Sequence, residues 1–151
     1  MRIPVAVIAA IVAVFVCKTA TANDDPRKFV RLPPDIRAVM LADMRQHINA
    51  FDDVLLALSV GDFGSAAVFA EEQMGLGSRW LKPKSTKRSM VEPWGIWVLG
   101  REFRAAASRF SVTLTGLGND RSPEAYAAAL KSLREITLRC RGCHATYRIV
   151  H

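Results

Sequence analysis

Cysteine and histidine are scarce in this chain of 151 residues, which contains three of each. Cys17 lies in an apolar N-terminal segment, so only Cys140 and Cys143 remain for the folded part of the protein. A structural zinc site needs four nitrogen or sulfur ligands, and away from the segment around these two cysteines only His47 and His151 could serve. This shortage of ligands disfavours a zinc protein.

The chain also lacks internal repeats, convincing strand patterns and a long hydrophobic run. Its apolar run, Ile3–Val16, falls short of the twenty or so residues that a transmembrane helix needs. Arg2 precedes this run and Ala20-Thr21-Ala22 follow it, which is the pattern of a cleaved secretory signal. We predict that residues 1–22 are a signal peptide and that residues 23–151 form one periplasmic domain; an uncleaved anchor is the alternative.

Acidic residues are fewer than basic ones, which gives the chain a formal net charge of +7. The stretch from Gly75 to Ser89 contains no acid but five bases: Arg79, Lys82, Lys84, Lys87 and Arg88. We expect a solvated loop here, and the alternative is a docking patch for an acidic redox partner or a membrane surface. An exported protein without a recognition motif is not expected to bind nucleic acid.

What the chain does contain is apolar residues at helical spacing in four segments. The first helix is predicted to begin at Pro33 or Pro34 and to end at Gly61, a length of about 40 Å. Its apolar seam has heptad spacing and comprises Met40, Met44, His47, Phe51, Val54 and Leu58. The second helix is predicted from Asp62, as N-cap, to Met74.

The third helix is predicted to begin at Pro93 and to end at Gly116–Gly118. Its apolar stripe comprises Ile96, Leu99, Phe103, Ala106, Phe110 and Leu114. The fourth helix is predicted to begin with Ser122 as N-cap and Pro123 at its first position. Four amphipathic helices with sustained heptad spacing predict an all-α fold, an antiparallel four-helix bundle.

The strongest chemical pattern is C-x-x-C-H, formed by Cys140, Cys143 and His144. Two thiols three residues apart on one helical face can add to the two vinyl groups of one porphyrin, and the adjacent histidine then lies against the iron. A thioredoxin-like redox pair, half of a zinc site and a plain disulfide are the alternatives. The redox pair lacks a βαβ context and the disulfide gives no role to His144, so we predict one covalently attached haem c.

The motif also continues the expected packing stripe of the fourth helix. That stripe comprises Tyr126, Leu130, Leu133, Thr137, Cys140, His144 and Tyr147. Because one face would both pack against the other helices and present the thiols, we expect the haem to lie between helices, inside the bundle.

At the C-terminus the pattern C-x-x-C-H-x-x-Y-R, from Cys140 to Arg148, resembles that of the class II c-type cytochromes, the cytochrome c′ family and its low-spin relatives. Trp97, Phe103 and Phe110 match the spacing of an aromatic triplet common in that family. The resemblance implies that Cys140 and Cys143 hold the porphyrin, that His144 is the proximal iron ligand and that Arg148 lies near the haem edge. It also suggests a homodimer formed through the first two helices.

In this family the first helix determines what faces the other side of the iron. Met44 lies within one residue of the position that the resemblance implies for a distal ligand, and Met40 and His47 share its stripe. Methionines on such a seam ordinarily fill a core, and an interior histidine ordinarily forms hydrogen bonds. The candidate sixth ligands are therefore Met44, Met40 and His47, with Met44 the leading candidate. An open sixth position is the alternative.

Six-coordinate His/Met iron suits electron transfer. The sequence therefore predicts a single-haem electron carrier that serves periplasmic or membrane redox proteins. The alternative is a five-coordinate protein of cytochrome c′ type that binds nitric oxide or carbon monoxide. An enzyme is not expected, because His47 is the only plausible distal acid or base.

Overall fold

Helices make up most of the protein in the computed structural model, which describes residues 25–78 and 94–150. The four helices of these ranges are α1 (Pro34–Ser59), α2 (Phe63–Phe69), α3 (Trp94–Leu117) and α4 (Pro123–Thr146), and a π-helical turn (Ala70–Met74) continues α2. This composition confirms the all-α class. The predicted signal peptide, residues 1–22, and the five bases of the predicted basic loop lie outside the described residues.

The helix boundaries follow local sequence signals. Pro33 precedes α1, and beyond the end of that helix Gly61 adopts a positive φ of 75°, a conformation that glycine reaches without steric cost. The Asp62 carboxylate accepts a hydrogen bond from the Ser65 N–H at 2.9 Å at the start of α2. The Ser122 hydroxyl accepts one from the Ala125 N–H at 3.1 Å at the start of α4. Both predicted N-caps are therefore confirmed.

The main core lies between the helices and contains the later residues of the predicted α1 and α3 stripes, from Val54 and from Phe103 onward, whereas Met40 and Ile96 belong to a second buried cluster. Its largest fully buried side chains include Phe63, Met74, Phe110 and Leu114. The predicted stripe of α4 is confirmed at Leu133, which is buried, but wrong at Leu130, which is 54% exposed, and at Thr137 and His144, which are also exposed. The inner face of α4 instead follows the ordinary helical period, and its buried residues are Ala125, Ala129, Leu133 and Ile136.

Two short strands, which were not predicted, join the ends of the described chain. Strand β1 (Lys28–Arg31) pairs in parallel with β2 (Tyr147–Val150), and Lys28 is the register partner of Tyr147. Helix α4 therefore ends at Thr146, and the prediction that Tyr147 lies in that helix is wrong. Local spacing gives no sign of such a pair, because its two strands are separated by almost the whole described chain.

Three helix ends meet at one end of the molecule, which we call the motif end. The end of α4 lies beside the start of α3, because Arg139 contacts Glu102 at 3.3 Å and the Tyr147 hydroxyl packs against Gly95. The start of α1 lies there as well, since Met40 shares a buried cluster with Ile96 of α3. Within the described ranges, no helix has both the length and the apolarity to cross a membrane.

Candidate haem-attachment site

The two motif cysteines lie at the end of α4, one helical turn apart. Neither forms a disulfide, and both are half-buried. Cys140 packs against the main core, whose α4 members include Ile136 one turn earlier. Both sulfur atoms are therefore available for thioether bonds, and the helix fixes their spacing.

Burial raises the pKa of the Cys140 thiol above its ordinary value. A redox-active C-x-x-C pair works through a thiolate, whose formation requires a lowered pKa. The environment of Cys140 therefore argues against the thioredoxin-like alternative. Among residues 25–78 and 94–150, no three His, Cys, Asp or Glu side chains come together as a set of metal ligands.

His144 and Arg148 are both exposed at the motif end. Arg148 donates a hydrogen bond to the Asp25 carboxylate at 2.9 Å, and the Arg27 guanidinium holds the same carboxylate. Hydrogen bonds from the Arg27 side chain and backbone, and then from Arg148, place the pKa of Asp25 far below its usual range. Arg148 thus links strand β2, after the motif, to the segment that precedes β1.

The two candidate methionines of α1 face an apolar cluster at the motif end, which we call the distal cluster. Its buried members are Val30, Leu32, Ile36, Met40 and Ile96. Met40 is fully buried, whereas Met44 is only half-buried and packs against the cluster together with Tyr147. Tyr147 follows His144 by three residues, so the Met44 region lies at the same end of the molecule as the motif, although Cys140 packs against the main core instead.

His47 lies one turn further along α1 and contacts polar and aromatic neighbours. Its ring centroid is 4.4 Å from that of Phe103, and its Nε2 is 3.5 Å from an Asp43 carboxylate oxygen. The other Asp43 oxygen is 3.3 Å from the Arg104 guanidinium. These contacts place His47 beside a buried carboxylate, as expected of an interior histidine.

The ion pair between Asp43 and Arg104 was not predicted. Both residues are buried, at 6% and 7% exposure, and Arg104 also donates a hydrogen bond to the buried Ser78 hydroxyl at 2.8 Å. One sequence signal could have revealed the pair, because each charged residue falls on the apolar face of its helix. Asp43 lies between Met40 and His47, and Arg104 follows Phe103 directly.

The side chains at the motif end include the atom types that a covalently attached haem requires. Two thiols one turn apart can hold a porphyrin, and an imidazole on the next residue and a half-buried thioether at the same end are the ligand types of His/Met iron. Comparison of the chain with models of protein families, with curated proteins and with solved structures finds no match.

Proposed function

We propose that the protein is an exported single-haem cytochrome of class II type that carries one electron at a time. When bound, the haem supplies the one-electron redox step, and the protein supplies binding and tuning. In this proposal the helices form an antiparallel bundle, which agrees with the meeting of the starts of α1 and α3 with the end of α4. The observation that carries the proposal is the position of Cys140, Cys143 and His144 together at that end, with neither cysteine in a disulfide.

Each of the four site residues has a distinct role in this proposal. Cys140 and Cys143 hold the porphyrin through thioether bonds, and His144 ligates the iron from the next position. Met44 ligates on the opposite side, where its flexible thioether needs only local rearrangement because it is half-buried rather than locked in the core. A sulfur ligand raises the reduction potential and keeps the coordination the same in both oxidation states.

The attachment itself is tested by the mass of the intact protein purified from a host that attaches haem c. We expect the mass of one haem added to the chain that begins near Asn23, and a periplasmic location. The paired substitution Cys140→Ser/Cys143→Ser removes both thiols, and we expect that variant to carry no covalent haem. A wild-type protein that leaves the same host without haem contradicts the proposal.

The sixth ligand is tested by visible and near-infrared spectra of both oxidation states. We expect sharp low-spin bands in the ferrous protein and the methionine-to-iron charge-transfer band in the ferric protein. Met44→Leu should abolish that band, whereas Met74→Leu, a matched change in the main core, should retain it. A high-spin spectrum with rapid carbon monoxide binding would favour the five-coordinate gas-binding alternative.

A homodimer is the second part of the proposal, and it is supported by an apolar stripe on the outer face of α1. Leu41, Ile48 and Leu55 are spaced by seven residues and face solvent, with Ile48 69% exposed. Sedimentation should show a dimer that Ile48→Lys dissociates. Val112→Lys, a change at an equally exposed site on α3, should leave the dimer intact, and a wild-type protein that sediments as a monomer refutes this part.

A further inference from the structure

Within residues 25–78 and 94–150, charge is distributed unevenly between two halves of the fold. The motif half comprises the strands and the helix ends that meet at the motif end, residues 25–47, 94–104 and 137–150. The far half comprises residues 48–78 and 105–136, which include the α1–α2 and α3–α4 turns. These turns meet each other, because the Arg121 guanidinium lies 4.4 Å from the centroid of the Phe63 ring.

The motif half is basic, and the far half is acidic. The motif half contains four acids, which are Asp25, Asp35, Asp43 and Glu102. It contains ten bases: Arg27, Lys28, Arg31, Arg37, Arg45, Arg101, Arg104, Arg139, Arg141 and Arg148. The far half contains four bases, which are Arg109, Arg121, Lys131 and Arg134. It contains eight acids: Asp52, Asp53, Asp62, Glu71, Glu72, Asp120, Glu124 and Glu135. The formal charges of these described residues are therefore +6 and −4.

The bases of the motif half are not all neutralised within the fold. Arg27, Arg104, Arg139 and Arg148 form ion pairs with acids of the same half. Five others are exposed and form no ion pair among the described residues: Lys28, Arg31, Arg45, Arg101 and Arg141. Their charge is therefore directed to solvent around the C-x-x-C-H segment, where it produces a positive potential.

An exposed aromatic side chain lies within this basic surface. Trp94 is 73% exposed and stacks on Trp97 at 4.8 Å between ring centroids, and the Arg101 guanidinium lies 4.9 Å from the centroid of the Trp97 ring. Tyr147 packs against Gly95, the residue after Trp94, so this stack adjoins the end of the haem motif. Tryptophan and arginine are the residue types most enriched at the energetic centres of protein interfaces.

We propose that the basic surface around Trp94 at the motif end docks an acidic protein, the electron donor or acceptor of this cytochrome. The inference rests on the proposed function for the identity of the partner as a redox protein, but not for the docking itself. Docking at this end would place the partner next to His144 and the two motif cysteines. The acidic far half would turn away from such a partner, so the charge asymmetry also orients the encounter.

The pattern of charges favours a protein over an anionic membrane. Acidic side chains are interleaved with the bases of this surface, for example Glu102 next to Arg101 and Asp25 beside Arg148. A protein partner can match an alternating pattern residue by residue, whereas a fluid anionic bilayer repels every acid that approaches it.

The test measures the affinity of the purified full chain for an acidic flavodoxin, used as the anionic protein probe, by titration calorimetry at several salt concentrations. We expect binding that weakens as salt rises and falls by about tenfold or more in Lys28→Glu/Arg101→Glu. The matched control, Arg109→Glu/Lys131→Glu, makes the same change in net charge on exposed residues of the far half, and its affinity should stay within about twofold of wild type. Trp94→Ser should also weaken binding without changing its dependence on salt.

Three results would overturn the proposal. Equal losses in the two double variants would mean that net charge alone governs binding, and no binding of the flavodoxin by the wild type would mean that the surface does not recognise acidic proteins. Binding to phosphatidylglycerol vesicles without binding to the flavodoxin would assign the surface to a membrane. Because calorimetry needs no haem, these results are distinguishable from a failure of the proposed function, which is read from the mass and the spectra.

Discussion

Removal of the Asp43 carboxylate is expected to destabilise the protein strongly, because it leaves a charged guanidinium in the core. The Arg104 side chain is 9% exposed and stays protonated at any accessible pH, so it cannot neutralise itself as an orphaned carboxylate could. The Ser78 hydroxyl, which accepts a hydrogen bond from Arg104, is neutral and does not replace a carboxylate. Breaking a buried ion pair from one side costs about 3–5 kcal/mol.

The Arg104 guanidinium and the Asp43 carboxylate are 3.3–3.4 Å apart, which is long for a charge-assisted hydrogen bond. We therefore expect a loss of about 3 kcal/mol for Asp43→Leu, and a fall in Tm of about 10 °C. The double variant Asp43→Leu/Arg104→Met removes both charges, and its stability should return to within about 1 kcal/mol of wild type. Asp52→Leu, at an exposed site on the same helix, should change stability by less than about 0.5 kcal/mol.

Urea denaturation followed by far-ultraviolet circular dichroism measures these differences, with all four proteins in the same state of haem loading. A loss below about 1 kcal/mol for Asp43→Leu would show that Arg104 finds other compensation, and the reasoning would be wrong. The reasoning would be equally wrong if the double variant were as unstable as the single one, since the charge of Arg104 would then not be the cause of the loss.

Three further outcomes follow from the motif end. In haem-free protein the raised pKa of the Cys140 thiol should make its alkylation slow at neutral pH and faster only in alkaline solution. Mass spectrometry over a pH series measures this rate, and rapid alkylation of Cys140 at pH 7 would contradict the raised pKa. Gly95→Ala should destabilise the fold by about 1–3 kcal/mol, because the added methyl meets the Tyr147 hydroxyl, whereas Gly100→Ala, in open space, should stabilise it by up to about 1 kcal/mol in the same urea assay. The folded-state pKa of Asp25 is depressed, so its contribution to stability is complete above the unfolded value of about 4 and is lost as pH falls below it. The protection of the β1–β2 amides from hydrogen exchange, relative to the intrinsic rate at each pH, should therefore fall in acid, and Asp25→Asn should remove that pH dependence.

Much of the fold is predictable from local sequence. The caps Asp62 and Ser122 and the terminator Gly61 act within a few residues of their position, so they mark helix boundaries correctly. The buried stripes of the first three helices are predictable for the same reason. The stripe of the fourth helix is less predictable from sequence. Strict heptad spacing predicts that Leu130 is buried, but α4 follows the period of a straight helix, which turns Leu130 toward solvent.

The candidate site was only partly predictable. Cys140, Cys143 and His144 are adjacent in sequence, so their chemistry can be inferred without knowledge of the fold. The partnership of Asp43 with Arg104 joins two helices that are 61 residues apart in the chain, and no local pattern specifies which buried charge meets which.

The sequence alone determined the helical segments, their caps and the C-x-x-C-H motif, since each of these depends on residues within one or two helical turns. Only the tertiary structure decided that the α1 methionines share a cluster with Tyr147, that β1 pairs with β2 and that basic residues surround the motif. These features depend on long-range packing, in which burial of apolar surface rather than local backbone preference selects the partners.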